Sequence, residues 1–289
     1  MALLTVRGFV IREVPVGETD RIIDILSSDL GLITASARGA RRTQSRLLLA
    51  TQVFSFSEFT LFANKGHYSV NVAEVIETFQ GLHEDLERLV CAAHLAEVLL
   101  DCSRDDVAQP ELYRLWAFCL HALHRQPDPL LLVHIAQLRL LAEIGFAPLL
   151  DRCVICGNPP NSAQTAIGFS IRQCGLVCSQ PACRRQAGDT RTIAPGTAAS
   201  LRHCLEAPLP RLFNCNLSDQ VRQEFLQISD QYLTRQMEKE YTRLRLLNGL
   251  NGFGPLQANG ERPQNTTEGQ TDGTPPEEPG NSGEADQNS

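Results

Sequence analysis

The 289-residue sequence predicts an α+β fold: a small N-terminal β-barrel followed by an all-α part that carries a cysteine-rich insertion. Three observations lead there. The first eighty residues alternate apolar and polar side chains with the two-residue period of strands. Near residue 82 the period lengthens to the three-four spacing of amphipathic helices. Between two of those helices stand five cysteines within thirty-one residues, Cys153, Cys156, Cys174, Cys178 and Cys183.

Five strands account for the first part. "LLTVRGFVIRE" is dense in β-branched residues, and "DRIIDILS" and "GLITASA" follow, separated by a turn at Asp29-Leu30-Gly31. "VFSFSEFTLFA" and "HYSVNVAEVIETF" flank Asn64-Lys65-Gly66, which reads as a hairpin turn. Five short strands with no long helix among them must close or be covered, because open edges invite foreign pairing. A five-stranded barrel of the OB type fits that count. The barrel is expected over residues 1–80.

The helical part is expected over 81–250. "LHEDLERLVCAAHLAEVLLDC" reads as one amphipathic helix, and Pro110 opens "PELYRLWAFCLHALH". "PLLLVHIAQLRLLAEIGF" follows, with Gly145 placed to end it. A short helix is expected at "PGTAASLRHCLE". A long one is expected from Leu217 to Leu247, with Ser218 as its N-cap.

The net charge of −7 is concentrated at one end. From Gly254 to Ser289 the chain holds seven acidic residues, one arginine, one leucine and no aromatic residue. Such a composition buries too little apolar surface to offset its ordering entropy, so 251–289 is expected to be a disordered acidic tail. No apolar run approaches the roughly 20 residues of a membrane span. The N-terminus lacks the pattern of a signal peptide. The expected setting is the cytoplasm, where ten cysteines should not form a disulfide framework.

Cys153-x2-Cys156 and Cys178-x4-Cys183 supply four soft ligands in two short knuckles, the donor set of a structural zinc site. Cys174-x3-Cys178 is the rival second pair. A redox dithiol would open a helix in a βαβ unit, whereas this pair follows a helix and precedes Pro159-Pro160. No histidine lies between Cys153 and Cys183, which disfavours a catalytic site with an open position.

"SARGARRTQSR" carries Arg38, Arg41, Arg42 and Arg46, and no acidic residue occurs from Leu30 to Ser57. Guanidinium forks match phosphate oxygens, and a flexible glycine-containing loop would let them follow a nucleic-acid backbone. Lys65, on the last hairpin, is a weaker contact candidate. Phe54, Phe56, Phe59, Phe62 and Tyr68 are candidate stacking faces, with core packing the simpler expectation for each. Phosphate-binding glycine loops and the His-Glu-x-x-His motif are absent from the sequence. No enzyme activity is expected.

Taken in order, three stretches resemble the RecO family of bacterial DNA repair and recombination mediators. They are "VRGFVIREVPVGETDRIIDILSSDLGLITASARGARR", "VNVAEVIETF", and "CVICG" with "CGLVCSQPAC". The resemblance spans about residues 1 to 245. In that family the second knuckle usually begins Gly-Gly. Cys174 takes the first of those positions here, which assigns it as the spare thiol. The resemblance implies binding of single- and double-stranded DNA, annealing of complementary strands and help in loading RecA. The implied partners are RecR, often RecF, and single-strand-binding protein, in a nucleoid-associated setting without nucleotide consumption. Carried over, Arg38, Arg41, Arg42, Arg46 and Lys65 are DNA-contact candidates, and Cys153, Cys156, Cys178 and Cys183 the metal ligands. A different class stays open on the residues alone: a zinc-stabilised protein-interaction scaffold with no direct DNA binding.

Overall fold

The computed structural model describes residues 2–64, 66–104, 106–159 and 167–250. Five strands form a closed barrel: β1 (Ala2–Val16), β2 (Asp20–Ser27), β3 (Gly31–Ala37), β4 (Phe56–Asn64) and β5 (His67–Glu77). Antiparallel ladders join β1 to β2, β2 to β3, β1 to β4 and β4 to β5. A short parallel pairing of β3 with β5, Ala35 opposite Tyr68 and Ser36 opposite Ser69, closes the ring. Helix α1 (Leu47–Ala50) lies between β3 and β4. This is the OB arrangement. The interior is Val6, Val10, Ile23, Ile25, Ile33, Phe59, Leu61 and Val70.

The fourth strand starts at Phe56, later than the alternation from Val53 suggests. Phe54 has φ +68°, and its amide donates to the Val10 carbonyl while Val10 N–H donates to Ser55. A left-handed residue interrupts the extended chain before the ladder begins. Val10 sits where the β1–β2 register slips, so the same strand bends there.

The helices are α2 (Gln80–Glu84), α3 (Leu86–Cys102), α4 (Pro110–Arg125), α5 (Pro129–Glu143), α7 (Pro195–Glu206), α8 (Leu209–Leu212), α9 (Asp219–Met237) and α10 (Arg245–Leu250). The single helix expected from Leu82 is divided, because Asp85 takes an extended conformation and its carboxylate accepts the Arg88 amide, capping α3. The long final helix is also shorter than its periodicity suggests. Glu238 turns left-handed at φ +51°, and the next residues are drawn onto α3. There Lys239 and Arg243 pair with Glu97, and Lys239 and Tyr241 with Asp101. Ion pairs with a helix distant in sequence outweigh a continuous α9 at that point. No helix among the described residues is long and apolar enough to cross a membrane.

Helix α5 is the bundle's axis. It is buried on nearly every side and packs against α3, α4, α7 and α9. His134 and Gln137 form a buried network with their neighbours. Gln137 bonds His94 of α3 at 3.1 Å and His134 at 3.0 Å, and it donates to Ser229 of α9 at 2.7 Å.

The barrel shares its outer face with this bundle. Phe9, Ile11, Leu26, Leu32 and Phe54 join the helical core and not the barrel interior. Phe9 stacks on Phe56 at 4.5 Å and meets Tyr113 of α4 at 5.4 Å. Gly31 shows how close the approach is. It has φ +70°, and a β-carbon there would lie 1.9 Å from the Val107 carbonyl oxygen.

The cysteine-rich insertion holds structure that no periodicity announces: β6 (Ile167–Ser170), β7 (Gly175–Val177), α6 (Pro181–Ala187) and β8 (Arg191–Ile193), with sheet order β7-β6-β8. Phe169, Leu176 and Ile193 anchor this sheet to the main core, where Phe169 meets Tyr232 of α9 edge-on.

Candidate nucleic-acid interface and metal centre

The loop after β3 carries the arginine cluster, and it is pinned. Gly39 N–H donates to the Asp20 carboxylate at 2.7 Å, Arg41 N–H to the Thr19 carbonyl at 2.8 Å, and the Arg41 guanidinium to the Gly17 carbonyl at 3.1 Å. Successive turns, Arg42 N–H to Gly39 and Ser45 N–H to Arg42, carry the chain into α1. The flexible loop expected from its glycine is thus an ordered one, held at the β1–β2 turn. The Gly39 amide, the Thr19 hydroxyl and the charges of Arg38 and Arg42 hold the Asp20 carboxyl below its ordinary range.

Arg38, Arg41, Arg42 and Arg46 are all exposed. No carboxylate among the described residues lies within ion-pair distance of any of them. Elsewhere on the barrel the arginines are matched: Arg7 with Glu58, Arg12 with Asp24 and Arg21 with Glu13. Four unmatched guanidinium groups on one fixed loop make a surface suited to phosphate oxygens. Lys65 lies outside the described residues. The strands that flank it meet at the opposite end of the barrel from the arginine loop: β3 and β5 run parallel, so β5 begins on the side where β3 begins, whereas the loop follows the end of β3.

The candidate aromatic residues divide sharply. Phe54 and Phe59 are fully buried, Phe56 stacks on Phe9, and Tyr68 packs against the barrel interior. Phe62 alone of the five stands outward, 38% exposed.

The Sγ atoms of Cys153, Cys156, Cys178 and Cys183 all lie within 4.8 Å of one another. A tetrahedron of thiolates with metal–sulfur bonds of about 2.3 Å has sulfur–sulfur edges of about 3.8 Å. Cys156 and Cys178 are 3.8 Å apart, so the cluster fits such an ion. Local backbone geometry forms each knuckle. Gly157, at φ +74°, returns its amide to the Cys153 carbonyl, and Cys153 N–H donates to Asn158. Cys178 follows directly after β7, and Cys183 sits in α6 after Pro181. Val177, Ala187, Val154 and Ile155 wrap the sulfurs as a small separate core.

The thiols do not titrate alike. Burial raises Cys153, but amide donation from Cys156, Cys178 and Ile155 outweighs it and brings the group down to about 6. Burial and the neighbouring thiols push Cys183 up to about 12. Amides that stabilise negative sulfur, within a group that resists carrying four negative charges alone, are what a bound cation requires. All four donors are sulfur, which suits a closed structural site. Cys174 is elsewhere: its φ is +57°, and its sulfur accepts from the Gln236 amide at 3.0 Å.

Comparison with known proteins gives this geometry a family. Residues 1–79 match the family model for the N-terminal part of recombination protein O, and residues 83–245 the model for its C-terminal part. This chain belongs to the RecO family. The DNA repair protein RecO of Acetivibrio thermocellus is 36% identical over 251 residues, covering 86% of this chain and 98% of the relative. Its counterpart in Thermoanaerobacter is 27% identical over 251 residues, covering 86% and 99%. The one in Alkaliphilus metalliredigens is 36% identical over 179 residues, covering 62% and 72%.

In this RecO chain the structure gathers Cys153, Cys156, Cys178 and Cys183 at one point, and Arg38, Arg41, Arg42 and Arg46 on one loop. Sequence reasoning missed Asp20, whose carboxylate fixes that loop. The only available signal was an acidic residue directly before the apolar run of β2.

Proposed function

We propose that this RecO chain binds single- and double-stranded DNA on the barrel, through Arg38, Arg41, Arg42 and Arg46, with Lys65 as a weaker contact. It anneals complementary strands and, with RecR and often RecF, helps RecA replace single-strand-binding protein on single-stranded DNA. It acts in the cytoplasm at the nucleoid and consumes no nucleotide. Residues 1–80 form the DNA-binding part, and residues 81–250 take up protein partners. Zinc held by Cys153, Cys156, Cys178 and Cys183 joins the insertion's two ends and takes no part in the DNA chemistry. The acidic stretch 251–289 lies outside the described residues.

The observation that carries the reading is the set of four exposed, unmatched arginines on a pinned loop. Titration of a labelled single-stranded oligonucleotide against salt tests it. Four phosphate contacts predict a slope of log K on log salt of roughly −3, and Arg41→Ala/Arg42→Ala should halve it. Binding that ignores both salt and the double substitution would remove the arginines from the interface. No binding at all would favour a zinc-stabilised interaction scaffold.

A further inference from the structure

The strand registers line up one transverse row of the barrel: Ser36 of β3 opposite Ser69 of β5, Ser69 opposite Phe62 of β4, and Phe62 opposite Leu3 of β1. Their strand neighbours Ala35, Ala37, Val70 and Leu61 are buried in the barrel interior, so the alternation turns the row itself outward. Two hydroxyls come first, then an exposed ring, then a leucine that is 63% exposed. At its serine end the row is two residues from Arg38. With strands about 4.8 Å apart, the Phe62 backbone lies only about 10 Å from that of Ser36.

From this row we infer that Phe62 is a nucleobase-stacking residue, and that a single strand leaving the arginine loop crosses the barrel along Ser36, Ser69, Phe62 and Leu3. The inference rests on the DNA-binding reading above and adds to it a path and a strand preference. Phe62 offers an exposed aromatic face beside the arginine loop, and neither Ser36 nor Ser69, the other outward-facing side chains nearest the arginines, can supply one. Bases are the chemistry that combines a flat apolar face with a phosphate chain for the adjacent guanidinium groups. In a duplex those faces are already stacked. Phe62 should therefore act on single strands alone, while the arginines act on both forms.

Labelled single-stranded and double-stranded oligonucleotides, titrated against the full chain, separate the two contributions. Phe62→Ala and Phe62→Leu should each weaken single-strand binding about five- to tenfold and leave duplex binding and the salt slope unchanged. The leucine variant preserves apolar contact with Leu3 but has no π face. Phe62→Trp should keep the affinity and show fluorescence quenched by the single strand. The sole native tryptophan, Trp116, is 1% exposed and gives a constant background. Normal single-strand binding by the alanine and leucine variants, or an equal loss on both DNA forms, would overturn the inference. If the arginine double variant still lost binding in that case, the DNA-binding reading would stand without it. Failure of the unaltered chain to bind either oligonucleotide would remove both.

Discussion

Acidification should loosen the helical bundle well before its carboxylates are protonated, and His134 is the main reason. Burial holds its imidazole down from 6.5 to about 3, with the charges of His94 and Arg222 adding to the effect and Asp128 opposing it. A histidine kept neutral in the folded chain stabilises the fold above its unfolded pKa. That contribution is lost as pH falls below about 6.5, because the unfolded chain takes up a proton that the folded one refuses. Between pH 7.5 and 5 one such site removes about 2 kcal/mol, and about 4 kcal/mol if followed down to pH 3. Burial lowers His94 in the same network as well, which adds loss of the same sign. Urea melts followed by the buried Trp116 would measure the effect at several pH values. His134→Asn keeps an acceptor near the Gln137 amide but cannot titrate. Its stability should therefore fall by about 2 kcal/mol less over that range, and the difference between the two chains cancels every other ionising group. An equal fall in both chains would refute the assignment to His134.

The metal centre predicts that a thiol-modifying reagent releases one zinc per chain; Cys174→Ser should keep the ion and Cys178→Ser should lose it, as read by a chromogenic chelator. Gly31→Ala should cost more than about 2 kcal/mol in urea melts, since a side chain there meets both a left-handed backbone and the Val107 carbonyl. Asp128 caps α5 through the Leu131 amide and holds Arg222 of α9 through two bonds of 2.7 and 2.9 Å. Both side chains are about one-third exposed, so Asp128→Ala should cost about 1–2 kcal/mol, most of it from the lost cap.

Much of the fold was legible because its signals are local. β2 and β3 and the helix at Pro195 run as the sequence suggests, since turn residues and a proline mark their ends. What escaped depends on distant partners. Nothing near Phe54 or Glu238 announces a left-handed residue; each is held by groups that the fold brings in, Val10 for the first and the Glu97–Asp101 face of α3 for the segment after the second. The strands of the insertion are three or four residues long, too short for any period to register. At the site, cysteine spacing carried enough chemistry to name the four sulfurs, because knuckles are built from adjacent residues. The order of the arginine loop was invisible, because its clasp, Gly17 to Asp20, belongs to another turn.

The placement of Phe9, Ile11, Leu26, Leu32 and Phe54 in the helical core has a consequence for anyone who cuts the chain. The family models meet near residue 80, and a scissor there looks natural. The seam in the sequence is not a seam in the packing. A fragment ending at that point would present these five side chains to water as a sticky face, and the bundle left behind would have a matching wound. Solubility of the isolated barrel should therefore depend on replacing them with polar residues, and a chimera that borrows a barrel from another member must borrow the facing side of α4 with it.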